Sequence, residues 1–205
     1  YRQSCMLITV DTGREQQDIT WQQFFPSGPR AFLPLFDSYA SLVWYDSPAR
    51  IRQLSKLPLP QLQAEIRASF PERLGDVTPL ACGSFPLVRH HAAHYVQDGL
   101  ALIGDAAHTI NPLAGQGVNL GYRDADTLLN TLIAARECCE DWGSESVLRR
   151  YERRRRPDNL LMQAGMDAFY LTFSNTLPGL QPLRNLALTV AQRATPLKKL
   201  ALKYA

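Results

Sequence analysis

The stretch Gly104–Gly121, GDAAHTINPLAGQGVNLG, decides how this chain is read. Leu100-Ala101-Leu102-Ile103 leads into it, an apolar run of the length expected for a short buried strand. Beyond it, Val118 to Arg136 places apolar residues at Leu120, Leu128, Leu129, Leu132 and Ile133, and this spacing predicts a long helix. The quoted residues therefore predict a strand, a long loop and a helix entry. Asp105 stands at the strand's end, Pro112 stiffens the loop, and Gly115-Gln116-Gly117 sits at the mouth of the helix.

Each of these residues has a chemical and a plain reading. Asp105 lies at the carboxyl edge of a strand, where ligands bind in open α/β sheets. It can accept hydrogen bonds from ribose or ribityl hydroxyls, or merely cap a local turn. Gly115, Gln116, Gly117 and Val118 would present backbone N–H groups and a positive helix end to an anion or an electron-rich ring. An ordinary glycine-rich helix entry would look the same. Asn119 can donate and accept along a heterocycle edge, or bond only to local backbone. Pro112 can present an apolar face to a ring, or simply punctuate the loop.

Other assignments of the stretch fail on spacing. Gly115, Gly117 and Gly121 spell G-x-G-x-x-x-G, yet a dinucleotide fingerprint follows its strand at once in a tight turn. Here the strand ends near Gly104, well upstream of the glycines. No G-x-x-x-x-G-K-[ST] occurs, so a P-loop is excluded. His108 has no Ser or Cys nucleophile set up beside it, which leaves it a supporting role. His90 and His94 share i, i+4 spacing without an evident third ligand, so no metal site is expected.

Working outward, residues 4–10 and 18–25 are apolar and aromatic runs that predict a hairpin. Residues 31–36 and 40–45 predict a second pair, with Pro34 at an edge or bulge. Together they predict an antiparallel sheet. Ser47-Pro48 is a helix start leading to about Ser55. Pro58 and Pro60 should break that helix, Gln61 to Phe70 should form another, and residues 76–88 should be extended. Arg89 to Gln97 reads as a polar linker. Trp142 to Phe173 predicts a long helix with a break or kink at Pro157, and Leu180–Ala194 and Leu197–Tyr204 predict two more. The expected organisation is α+β: residues 1–93 a sheet with short helices, 94–138 the strand–loop–helix, and 139–205 a helical region.

The 205 residues carry a net charge of +3, too little to imply nucleic acid. Most of the imbalance lies at Arg149–Arg156, which reads as a solvated face pairing with Glu145 and Glu152, or as a docking surface for anionic lipid. The four cysteines, Cys5, Cys82, Cys138 and Cys139, lack C-x-x-C spacing and suit free thiols in the cytoplasm. No signal peptide and no transmembrane run is recognisable. The chain begins with Tyr1, which suggests a piece of a longer protein.

The run G-D-A-A-H, then Pro, then G-Q-G-x-N resembles the second flavin-binding signature of FAD-dependent aromatic hydroxylases of the para-hydroxybenzoate hydroxylase fold. The RAFLPLF and LVWYDSP strands, FPL at 85–87 and the MQAGMDAFY helix extend the likeness toward the ubiquinone-biosynthesis hydroxylases. The resemblance implies the C-terminal part of an FAD-binding α/β domain. Asp105 would contact the ribityl–pyrophosphate region, and Pro112 with the Gly115–Asn119 backbone would border the isoalloxazine ring. It implies NAD(P)H as reductant and O2 adding to a flavin hydroperoxide that hydroxylates a polyprenyl benzoquinol. The antiparallel sheet would form one wall of the substrate pocket, and no residue of this chain is assigned as catalytic.

The family's G-x-G-x-x-G and D-G motifs are not in these residues and are expected upstream of Tyr1. The chain alone is expected to bind FAD weakly or not at all, and to be inactive. Peripheral contact with the inner face of the membrane, other ubiquinone-biosynthesis proteins and self-association through an open sheet edge are the expected partners. Another ring position, another aromatic substrate or a non-enzymatic interaction module are the alternatives that the residues leave open.

Overall fold

The computed structural model describes residues 3–15, 18–110 and 115–173. Within it the chain divides into two compact units, residues 1–87 and 88–205. Pro112 and the two helices expected after residue 179 lie outside the described residues.

The first unit is built on strands β1 (Ser4–Asp11), β2 (Trp21–Phe25), β3 (Gly28–Pro34), β4 (Tyr39–Asp46) and β5 (Thr78–Pro86). They form one antiparallel sheet in the order β2-β3-β4-β1-β5. Alternation along β1 sends Met6, Ile8 and Val10 to one face. Helices α1 (Pro48–Leu54) and α2 (Leu59–Ser69) cover that face with Ile51, Leu54, Leu62 and Ile66. Each such fully buried aliphatic side chain contributes about 1.5–3 kcal/mol. The opposite face is open over part of its length: Leu7, Leu33 and Phe85 are 40%, 37% and 42% exposed, while Cys5 and Tyr45 on the same face are buried.

The sheet departs from the expected pairing. β1 does not form a hairpin with β2; it lies between β4 and β5, with Met6 opposite Trp44 and Ser84. Alternation fixes which face a strand buries but not which neighbour it takes, and β1, buried at most of its positions, occupies an interior place. The β3–β4 pair forms as expected. Pro34 closes β3, an interior strand rather than an edge, beyond the point where pairing with β2 stops at Phe32. Its missing N–H therefore breaks no bond to β2. Pro60 does not break a helix either. It falls in the first turn of α2, where the N–H has no intrahelical partner to lose.

In the second unit, Val96–Gln97 and Leu100–Ala101 form a two-stranded ribbon, β7–β8, turned at Gly99. β6 (His90–His91) pairs with β9 (His108–Thr109). The residues expected to be a polar linker thus contain two short strands and the fully buried Tyr95. The Leu100 run is shorter and more exposed than a buried strand: Leu100 is 42% and Ile103 40% exposed, because its one strand partner among the described residues is β7. Two helices complete the unit, α3 (Gln116–Glu137) and α4 (Glu145–Phe173). α4 runs through Pro157 as one helix. No helix among the described residues is long and apolar enough to cross a membrane.

Candidate functional site

The site grows out of two glycines that open and close the quoted stretch. Gly104 has φ +56°, a conformation that L side chains rarely adopt, and it turns the chain from β8 into one 3-10 turn, Gly104–Ala106. Gly121, on the first turns of α3, lies against it: a Cβ on Gly121 would stand 3.5 Å from Gly104 Cα. The glycine pair lets the loop backbone rest directly on the helix. Downstream, Gly115 takes φ +65° and caps α3, with no side chain bonded across the helix entry.

A buried carboxylate holds this arrangement. Asp124, one turn beyond Leu120 on the inner face of α3, is 0% exposed. Its Oδ2 accepts from the Gly104 backbone N–H at 3.0 Å and from His108 Nε2 at 2.5 Å. Its Oδ1 accepts from Arg155 Nε at 2.8 Å and Asn159 Nδ2 at 3.1 Å. Four donors occupy the four lone-pair positions of the two oxygens. Burial pushes this carboxyl's pKa up, but the His108, Arg155, Asn159 and Gly104 donors outweigh it and hold the group down at about 2. An ionised Asp124 can only accept, so His108 Nε2 carries the proton.

The network reaches outward from Asp124. Arg155 spends its remaining nitrogens on Asp158 at 2.6 Å and the Asn159 side-chain oxygen at 2.8 Å. Asn159 also lies 3.4 Å from the Tyr95 hydroxyl, which sits 3.3 Å from His91 Nε2. Tyr151 donates to the Leu102 carbonyl at 2.8 Å, and Gln163 donates to the Thr109 carbonyl at 3.1 Å. The row Tyr151, Arg155, Asn159, Gln163 follows i, i+4 spacing, so one face of α4 carries all four. Together they tie β8, the 3-10 turn, β9 and α3 to α4.

Above this buried layer the expected ligand-facing residues are accessible. Asp105, Gly115, Val118 and Asn119 are exposed, and Gln116 and Gly117 are half-buried. A Cβ at Gly115 or Gly117 would meet nothing within 4 Å. Asn119 Nδ2 donates to Gln116 Oε1 at 3.2 Å, so the two amides order each other across the first turn. The arrangement offers first-turn backbone amides, a helix dipole, a carboxylate and a primary amide around open space. That donor set suits an electron-rich planar ring with hydroxylated attachments.

Two expectations about neighbouring residues change. The arginine run is not wholly a solvated face: Arg149 pairs with Glu145 and Arg150 with Glu140, but Arg155 is buried against Asp124. Glu152 lies 3.9 Å from His94 Nδ1. Asp124, Arg155, Asn159, Tyr95 and Gln163 were not anticipated as site residues. Only Asp124 and Arg155 left a signal, each a charged residue on the buried face of a long helix; Asn159, Tyr95 and Gln163 left none.

Residues 15–163 match the family described as FAD binding domain. Over all 205 residues the chain is 65% identical to 3-demethoxyubiquinol 3-hydroxylase of Escherichia coli strain K12, covering 52% of that protein. It is 39% identical to ubiquinone hydroxylase UbiL of Rhodospirillum rubrum, again over its whole length, covering 48% of that relative. The chain thus spans about half the length of the curated relatives it matches. Among solved structures, p-nitrophenol 4-monooxygenase PnpA from Pseudomonas putida DLL-E4 superposes with a TM-score of 0.75 at 19% identity, over 100% of this chain and 52% of that one. That similarity shows the shared fold. The family model's match to residues 15–163, well over half of the chain, makes this chain a member of the FAD binding domain family.

Proposed function

We propose that the Gly104–Asn119 stretch holds the isoalloxazine end of FAD, in an enzyme that hydroxylates a polyprenylated benzoquinol during ubiquinone biosynthesis. The observation that carries this reading is the 65% identity with 3-demethoxyubiquinol 3-hydroxylase along the whole chain. The residues fit the group: the open space over Gly115 and Gly117 admits a ring where side chains would intrude.

When bound, FAD supplies the electron transfer from NAD(P)H to O2 that side chains cannot perform. The chain's own residues bind and orient. The N–H groups of Gln116, Gly117 and Val118 lie at the positive end of α3 and favour negative charge on the ring. The Asp105 carboxylate accepts from ribityl hydroxyls, and the Asn119 amide meets the polar edge of the ring. Pro112 borders the ring in the same reading. Asp124 fixes the backbone at Gly104 and so positions Asp105 beside it. The open sheet face with Leu7, Leu33 and Phe85 offers apolar surface suited to a prenylated ring.

The same reading includes a peripheral membrane contact through the basic face of α4, as a bilayer-borne substrate requires, and FAD binding completed by the remainder of a protein of the relatives' length. Self-association would use β2 or β5, the outer strands of the sheet. Deleting the gene that encodes the chain and extracting the quinones tests the function. Accumulation of the demethoxy intermediate is expected; an unchanged quinone pool would overturn the reading.

A further inference from the structure

Among the described residues, the flavin reading leaves a basic pocket on α4 unused. It holds about 320 Å3 and is lined by His94, Arg149, Glu152, Arg153, Arg156 and Pro157. The residues contributed by α4 follow i, i+3 and i+4 spacing, so they share one helix face, distinct from the inner face that carries Arg155.

The pocket's charge is unbalanced. Three guanidinium groups line it against one carboxylate, Glu152. Arg149 is already committed to Glu145, through Nε at 2.8 Å and a second nitrogen at 2.6 Å. Among the described residues no acidic side chain forms an ion pair with Arg153 or Arg156. Arg156 Nε is in addition buried and without any hydrogen-bond partner. A buried donor left unpaired costs about 1–3 kcal/mol, more when it is charged. The missing partner is therefore an acceptor, and a guanidinium fork matches the paired oxygens of a phosphate group.

We propose that this pocket binds a phosphate-type oxyanion, held by Arg153 and Arg156 with Arg149 at the rim. The shared chemistry is a tetrahedral phosphorus bearing at least two anionic or acceptor oxygens, as in free phosphate or a phospholipid headgroup. The site uses no residue assigned to the flavin; its phospholipid arm rests on the membrane contact proposed above, and its failure would leave the flavin assignment untouched.

The test titrates the protein as its gene encodes it with inorganic phosphate by calorimetry, and in parallel sediments it with phosphatidylcholine vesicles with and without phosphatidylglycerol. The wild type is expected to bind phosphate, the phosphatidylglycerol vesicles, or both. Arg153→Ala and Arg156→Gln should each weaken that binding about tenfold or more, as loss of a charge-assisted hydrogen bond implies. Arg150→Ala should leave it unchanged, because that guanidinium is engaged by Glu140 at 2.5 Å outside the pocket. Glu152→Gln should tighten binding, a gain that a misfolded variant cannot imitate. Binding to phosphatidylglycerol vesicles without calorimetric binding of phosphate identifies the headgroup as the source; binding to phosphate alone identifies the free anion. Binding to neither, equal loss in Arg150→Ala, or no tightening in Glu152→Gln would overturn the proposal.

Discussion

The two units of this chain are held together by different physics. Residues 3–87 are a sheet backed by two helices, with a continuous apolar core running from Met6 through Trp44 to Phe70. Residues 88–173 bury a much smaller apolar cluster around Tyr95, Leu148 and Tyr151, and set beside it a charged centre of Asp124, Arg155, His108 and Asn159. Apolar packing is non-directional and tolerates exchange of similar volumes. A carboxylate with four fitted donors does not, because removing any member strands the others out of water. The unit that carries the Gly104–Asn119 stretch is thus the one whose geometry is fixed by directional bonds.

The sharpest way to break this contrast is to remove the carboxylate. Asp124→Ala leaves Arg155 and His108 buried without their partner and should cost about 3–5 kcal/mol. Hydrogen exchange read region by region should show the loss in residues 88–173, while β1 to β5 keep their protection. An equal loss in the sheet would contradict the separation. Leu42→Ala, in the middle of the apolar core, should cost about 2–5 kcal/mol through transfer and cavity terms. Its increase in exchange should be confined to the sheet unit.

Acid should separate the units more gently. Asp124 has its folded pKa lowered to about 2 from an ordinary 3.8. A depressed carboxyl contributes stability that is complete above the unfolded value and disappears as pH falls through the folded one. The difference is worth about 2.5 kcal/mol, lost between roughly pH 5 and pH 2. The pKa of His91 is pushed down by burial, then by Arg156 and its histidine neighbours. Its neutral form is therefore favoured in the fold, and its contribution also declines as pH falls below the ordinary histidine value. Residues 88–173 should open first on acidification, followed by exchange at reduced pH; a sheet that opened first would reverse the assignment. The smallest effect belongs to Ser47, whose hydroxyl caps α1 by accepting from the Arg50 N–H at 3.2 Å. Ser47→Ala should lower the melting free energy by about 1 kcal/mol and leave residues 88–173 untouched.

The same contrast explains what could be read from sequence. The antiparallel sheet, the Ser47 cap and the long helices were legible, because alternation, capping and periodicity are local signals. The placement of β1 was not: neighbouring runs suggest a hairpin, whereas the order of strands is settled by the whole sheet. The proposed ligand-facing residues Asp105 and Gly115–Asn119 could be singled out because the motif is contiguous. Asp124 and Arg155 were not paired in advance, since 31 residues separate them and the mutual rotation of two helices is not a local property. Asp124, four residues from Leu120, and Arg155, four from Tyr151, each lie on the buried face of their helix. Only the fold brings one against the other.

The most direct test of the flavin assignment uses Gly117→Leu in the protein as its gene encodes it. Position 117 is helical and open, with nothing within 4 Å of an added Cβ. Leucine is the better helix former by up to about 1 kcal/mol, so thermal stability should hold or rise. The side chain would occupy the space assigned to the ring, and overpacking of about 1–3 kcal/mol corresponds to a loss in FAD affinity of roughly tenfold or more. Stability retained with FAD affinity lost is the expected result. Unchanged FAD affinity with leucine in place, or no FAD binding by the wild type, would contradict the assignment of Gly104–Asn119 to the flavin ring.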